Sequence, residues 1–250
     1  MAQGYVVKTG ARDEVIPLQS IYAESATAKH NVGDKCRMSD GRVFHYAYNG
    51  AGTLVAGNVV QTSVCTAGHN GMVPTAISAV GETRVQVVPL TNAIVVNEYR
   101  NGYLWINAGG GAGIMYRIKS NPAIVGNAAG YIYLYDPLVV ATIVATSKIS
   151  VVRNPWYGTI QAAVTVTGIP VGVAPIAVTA YYYYWCQTWG PGVALAGGTQ
   201  VITTPGETAG GAAGAAIVQA GHGIHEIGML YNGLQVTTAN YNGIFIRISQ

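Results

Sequence analysis

Six dipeptides punctuate the chain: Asp40-Gly41, Asn49-Gly50, Asn70-Gly71, Asn101-Gly102, Asn232-Gly233 and Asn242-Gly243. A two-residue type I′ hairpin needs positive φ at both central positions, which Asn, Asp and Gly reach most easily. Short apolar runs flank these sites. RVFHYAY precedes Asn49-Gly50 and TLVAGNVVQT follows it, while AIVVNEY and YLWIN lie on either side of Asn101-Gly102. Many short strands with close turn signals predict an all-β protein, built of antiparallel β-sandwich or barrel modules joined by hairpins. The best helical periodicity is over 19–29, QSIYAESATAK.

A chain of 250 residues accommodates one large β domain or two smaller ones. Residues 1–38 carry a large share of the charges and read as an extended N-terminal arm. Such an arm packs on a neighbour, or serves as first strand and connector of its own domain. Arg153 is followed by no Asp, Glu, Lys or Arg until Glu207. A boundary near 160 would leave a β domain over 39–160 and a second β domain or barrel over 161–250.

Half of the residues are hydrophobic and 9% are charged, against roughly 25% in an ordinary soluble domain. Disorder is excluded by that balance, and so sparse an ionic coat favours a surface hidden in an assembly. The thirteen basic residues are scattered and the formal net charge is only +3. Direct nucleic-acid binding is not expected, because counterion release needs clustered Lys and Arg. The start of the sequence, MAQGYVVKTGARDEV, lacks the basic and apolar regions of a secretory signal. The charge-free stretch 159–185 is interrupted by Gly168, Pro170, Gly172 and Pro175, so strands and turns, not a membrane span, are expected.

Chemistry is hard to find. Cys36, Cys65 and Cys186 are odd in number and widely spaced, which reads as small buried hydrophobes in a reducing compartment. HGIHE holds His222, His225 and Glu226, but a strand would send the two histidines to opposite faces. Cys65 and His69 could meet across a turn. The Gly-rich NAGGGAGIMYRI, 107–118, leads into strand-like alternation, with Ile114, Tyr116 and Ile118 against Met115 and Arg117. A dinucleotide loop would open a helix there. TAGGAAGAAIVQAG, 208–221, has no Walker lysine. The expectation is a non-enzymatic protein with no metal and no cofactor.

Tyrosine occurs seventeen times and phenylalanine twice. A core uses Phe as readily as Tyr, whereas Tyr suits places where one end of the ring is apolar and the other polar, including interfaces. In YIYLY, Ile132 and Leu134 face one way and Tyr131, Tyr133 and Tyr135 the other. In AVTAYYYYWCQTWGPG a strand over 181–189 would place Tyr181, Tyr183, Trp185 and Trp189 on one face, and Tyr182, Tyr184 and Cys186 on the other. Either a second sheet of the same chain covers these ladders, or a partner subunit or a sugar does. Tyr131, Tyr133, Tyr135, Tyr182, Tyr184 and Trp189 are the candidate interface residues.

DGRVFHYAYNGAGTLVAGNVVQ (40–61), GYLWINAGGGAGIMYRIKSN (102–121), VTAYYYYWCQTWGPGVALA (178–196) and HEIGMLYNG (225–233) give the chain its resemblance to tailed-phage virion proteins, head decoration (cement) proteins above all. The resemblance covers most of residues 40–250 and rests on glycines and aromatics. It implies a homo-oligomer, such as a trimer, that binds the major capsid protein on the outside of the shell after synthesis in the host cytoplasm. It implies no catalytic residue. A carbohydrate- or receptor-binding tail module and a filament or surface-layer subunit are the competing expectations.

Overall fold

A computed structural model describes residues 17–163, 167–195, 205–208, 216–218, 226–230 and 240–249. The described residues contain fifteen strands and no helix. The first eight are β1 (Lys35–Arg37), β2 (Val43–Asn49), β3 (Val59–Gln61), β4 (Arg84–Val87), β5 (Tyr103–Ala108), β6 (Met115–Ser120), β7 (Gly130–Leu134) and β8 (Lys148–Val152). There follow β9 (Tyr157–Gln161), β10 (Pro170–Val173), β11 (Tyr183–Leu195), β12 (Pro205–Thr208), β13 (Ala216–Val218), β14 (Glu226–Leu230) and β15 (Tyr241–Arg247). The all-β expectation holds.

The chain divides into two compact units. One joins Met1–Val64 to Pro155–Gln250, and the other is the intervening Cys65–Asn154. The second unit is therefore an insertion between β3 and β9 of the first. This differs from the division at 38 and 160 read from charge density. Strand pairing, not composition, closes the first unit: β9 lies between β2 and β3, although about a hundred residues of sequence separate it from them.

In the first unit, five strands form a closed barrel. β2 pairs with β9 in parallel, and β9–β3, β3–β10, β10–β11 and β11–β2 are antiparallel. Closure removes the sheet edges. One glycine permits the last seam: a Cβ on Gly172 would stand 2.2 Å from Cys186 Sγ and 2.7 Å from the Gln187 carbonyl. Ala47, Leu54, Val60, Val171, Tyr184 and Cys186 fill the interior. Beyond the barrel the second half of β11 pairs with β15, which leads through β14 and β12 to β13.

The outer face of β2 and β11 is covered by the chain's own N-terminal segment. Ile21, Cys36 and Met38 pack with Phe44, Tyr46 and Trp185. Residues 19–29 are turns, not a helix, and Ser25 bridges Tyr183. Side chains there bond the backbone locally and so compete with helical pairing: Gln19 Nε2 donates to Ala23 O at 2.6 Å, and Ser25 Oγ to Thr27 O at 2.7 Å. The described part of the N-terminal segment is thus a cover for its own barrel. β11 begins at Tyr183 and not at 181, since Tyr181 adopts φ 64° in the preceding turn.

The second unit is one antiparallel sheet in the order β4-β7-β6-β5-β8. Its inner face buries Val85, Leu104, Ile118, Ile132 and Ile149 beneath Met72, Ile94, Tyr99 and Leu138 from the connections. The Gly-rich 107–118 piece is the β5–β6 hairpin, with Gly109, Gly111 and Gly113 all at positive φ. Of the turn dipeptides, Gly41, Gly71 and Asn101 do take positive φ. Asn242-Gly243 instead lies inside β15, opposite Ala194 and Val193. Asn232-Gly233 and most of 208–221 lie outside the described residues.

Candidate functional site

The alternation of the Cys65–Asn154 sheet gives it a second, open face. β6 buries Tyr116 and Ile118 and exposes Met115, Arg117 and Lys119; β7 buries Ile132 and Leu134. Tyr133 is 41% exposed and Tyr135, just past β7, 47% exposed, with Tyr131 half-buried. The register then interleaves cations with rings. Arg84 stands opposite Tyr133, and Arg117 opposite Tyr103. The Tyr135 amide donates to Arg117 O at 3.0 Å, so these two residues are neighbours on the same face.

The guanidinium groups lie on the tyrosines. Arg84 Cζ is 4.5 Å from the Tyr131 ring centroid and Arg117 Cζ is 5.0 Å from that of Tyr135, within cation–π range. Tyr135 Oη donates to Asn101 Oδ1 at 3.0 Å. These contacts hold the side chains in place at a solvent-facing surface. Residues 65–154 contain six Lys and Arg against three Asp and Glu, so the whole formal charge of +3 belongs to this unit. Two of the three acids there sit in ion pairs, Glu98 with Arg153 and Glu82 with Arg84 at 4.0 Å.

Both ends of this sheet expose aliphatic side chains. Leu90, Val95, Val96 and Val125 stand at the end where the chain enters and leaves the unit. At the other end Ile77, Val80, Val139, Val140, Ile143 and Val144 are exposed, on segments tied together by Thr142 N to Ser78 O and Gly81 N to Leu138 O. Isolated exposed apolar residues are ordinary; a group of six on adjoining segments is not.

The other three candidate interface residues lie in the barrel unit. Tyr184 is sealed inside the barrel with no exposed surface, and its hydroxyl meets Thr159 Oγ1 at 3.0 Å. Burial pushes its phenol well above the ordinary pKa. Tyr182 is half-buried against the same interior, and Trp189 is partly buried with its ring 5.5 Å from Phe245, edge to face. Tyr184 therefore presents nothing to a partner. A closed barrel gives β11 an inside that a flat-sheet reading of alternating faces does not foresee.

Two buried histidines of the described residues are held by packing and hydrogen bonds. His45 is buried, stacked on Trp156 with centroids 4.0 Å apart, and its Nδ1 meets Thr188 Oγ1 at 3.2 Å. Burial, with Lys35 adding to it, lowers its pKa to about 4. His69 bonds Tyr99 Oη through Nδ1 and Asn92 O through Nε2. Both ring nitrogens are occupied, which leaves neither to activate Cys65. Cys65 is exposed, contrary to the expectation for all three cysteines, because it begins the connection into the second unit; Cys36 and Cys186 are buried. Burial raises the Cys186 thiol to about 12. Among the described residues no three His, Cys, Asp or Glu come together as a metal site. His222 and His225 lie outside the described residues, and Glu226 is described only as the first residue of β14.

The sheet face can bind a partner that is acidic or rich in carbonyl acceptors. Its cations escape a linear reading because Arg84 and Arg117 come from strands far apart in sequence, though MYRIKS already shows Arg117 and Lys119 alternating with core residues. Compared with protein families, curated proteins and solved structures, the chain matches none.

Proposed function

We propose that the chain is a virion structural protein, a decoration or cement protein that binds the major capsid protein of a tailed phage and stabilises the shell as a homo-oligomer. The observation that carries this reading is the open face of the 65–154 sheet. There Tyr103, Tyr133 and Tyr135 are exposed among Arg84, Arg117 and Lys119. Tyr and Arg dominate interface energetics because they offer large contact area together with polar ends. Capsid binding would act by mass action, since a ligand that recognises only the assembled lattice shifts the equilibrium toward it. Repetition of one modest contact over an oligomer would supply avidity. The exposed aliphatic group at 77–80 and 139–144 supports self-association.

Co-sedimentation of the purified chain with expanded capsids tests this. The expected result is saturable binding at a fixed copy number per shell and a higher capsid melting temperature. A chain that stays in the supernatant at every capsid concentration would refute the proposal.

A further inference from the structure

The barrel unit holds a cavity of about 590 Å³, independent of the sheet face, lined mostly by apolar groups. Ala56, Val173, Pro175, Pro191 and the ring of Tyr241 form its walls. Small-molecule sites have this size and character, with a few fixed polar groups that set orientation.

Gln187 supplies one such group. It is 5% exposed and borders the cavity. Its Nε2 donates to the carbonyls of Trp189, Gly190 and Pro191 at 3.3, 3.5 and 2.6 Å, which fixes the orientation of the amide. Its Oε1 accepts no hydrogen bond from any described residue. A ligand hydroxyl in the cavity could donate to this acceptor. At the mouth, Arg42 also lines the cavity. Its Nε bonds Asp40 at 2.7 Å and its Nη1 donates to Tyr22 Oη at 3.1 Å, so its charge is locally balanced while the Tyr22 hydroxyl keeps a proton to donate. Glycines make the room. A Cβ on Gly57 would stand 2.7 Å from the Tyr241 ring, and one on Gly192 would stand 3.1 Å from Gln187 Oε1.

We propose that this cavity binds a neutral saccharide. A sugar hydroxyl both donates and accepts, so one ring satisfies Gln187 Oε1 and Tyr22 or Arg42 together. The C–H face of a pyranose matches the proline and tyrosine walls. An anionic ligand is disfavoured, because Asp40 already neutralises Arg42 and the fixed acceptor repels it.

Saturation-transfer NMR on the full chain tests the proposal, with methyl glucoside, methyl galactoside, N-acetylglucosamine and maltose as probes at millimolar concentration. At least one probe should receive saturation on its ring C–H protons. Val193→Trp, at an exposed rim position, should abolish the transfer by filling the mouth. Tyr241→Ala should weaken it about tenfold. Tyr133→Ser, in the other unit, should leave it unchanged. No transfer to any probe, or transfer equally strong in Val193→Trp, would overturn the proposal, and neither result bears on capsid binding.

Discussion

The indole of Trp185 donates to the main-chain oxygen of Gln19 at 3.0 Å, across more than a hundred and sixty residues of sequence. The Gln19 side chain completes the joint. Its Oε1 accepts from Tyr46 Oη at 2.9 Å, and its Nε2 donates to Ala23 O and Tyr183 O. This one residue ties the N-terminal cover to both β2 and β11.

Gln19→Ala should therefore destabilise the chain by about 1–3 kcal/mol, because Tyr46 Oη and the Tyr183 carbonyl lose buried partners. Thermal unfolding measures it. Loss of tryptophan near-ultraviolet circular dichroism should precede global unfolding as the cover lifts from Trp185.

Gly172→Ala probes barrel closure. The added methyl meets Cys186 Sγ and the Gln187 carbonyl with no free space, at a position where φ is not in the left-handed region. The cost is therefore steric, about 3 kcal/mol or more. Gly41→Ala, with no atom near its Cβ, carries only the strain of φ +88° and should cost about 1 kcal/mol.

Acid should loosen the barrel unit. His45 is held neutral by burial, with a folded pKa of about 4 against about 6.5 unfolded. The unfolded chain then binds the proton more readily, so stability is full above pH 6.5 and falls as pH drops toward 4. The loss is about 3 kcal/mol. Burial lowers His30 as well, and its Nε2 accepts the Leu18 amide at 2.9 Å, a bond that protonation breaks. His45→Phe keeps the stack on Trp156 and should flatten the melting-temperature profile between pH 6.5 and 4.

How far these features could be read from sequence depends on the range of the interaction. The β5–β6 hairpin and the sides taken by Tyr116, Arg117, Ile132 and Tyr133 follow from local alternation and glycine, and the sequence shows them. The question raised by the aromatic run at 181–189 has a non-local answer: the face of Tyr183 and Trp185 is covered by Ile21 and Met38, and that of Tyr182, Tyr184 and Cys186 by a closed barrel. No local pattern encodes that. The partition at 64 and 154 is equally hidden, because β9 pairs with strands on the far side of a whole inserted unit. Arg84 and Arg117 lie far apart in the sequence and come onto one face only through strand order.

Tyr133→Ser combined with Arg117→Glu should leave folding almost unchanged, within about 1 kcal/mol, since both side chains face solvent. Binding to expanded capsids should fall at least tenfold. A comparable drop in thermal stability would instead assign these residues to the fold.

Hydroxyl-radical footprinting of the free and capsid-bound chain tests the central claim most directly. Tyr103, Tyr133 and Tyr135 should oxidise readily in the free chain and become protected when it is bound, while buried Tyr184 stays unreactive in both. Equal oxidation of the three exposed tyrosines in a chain that does co-sediment with capsids would contradict the assignment of this face.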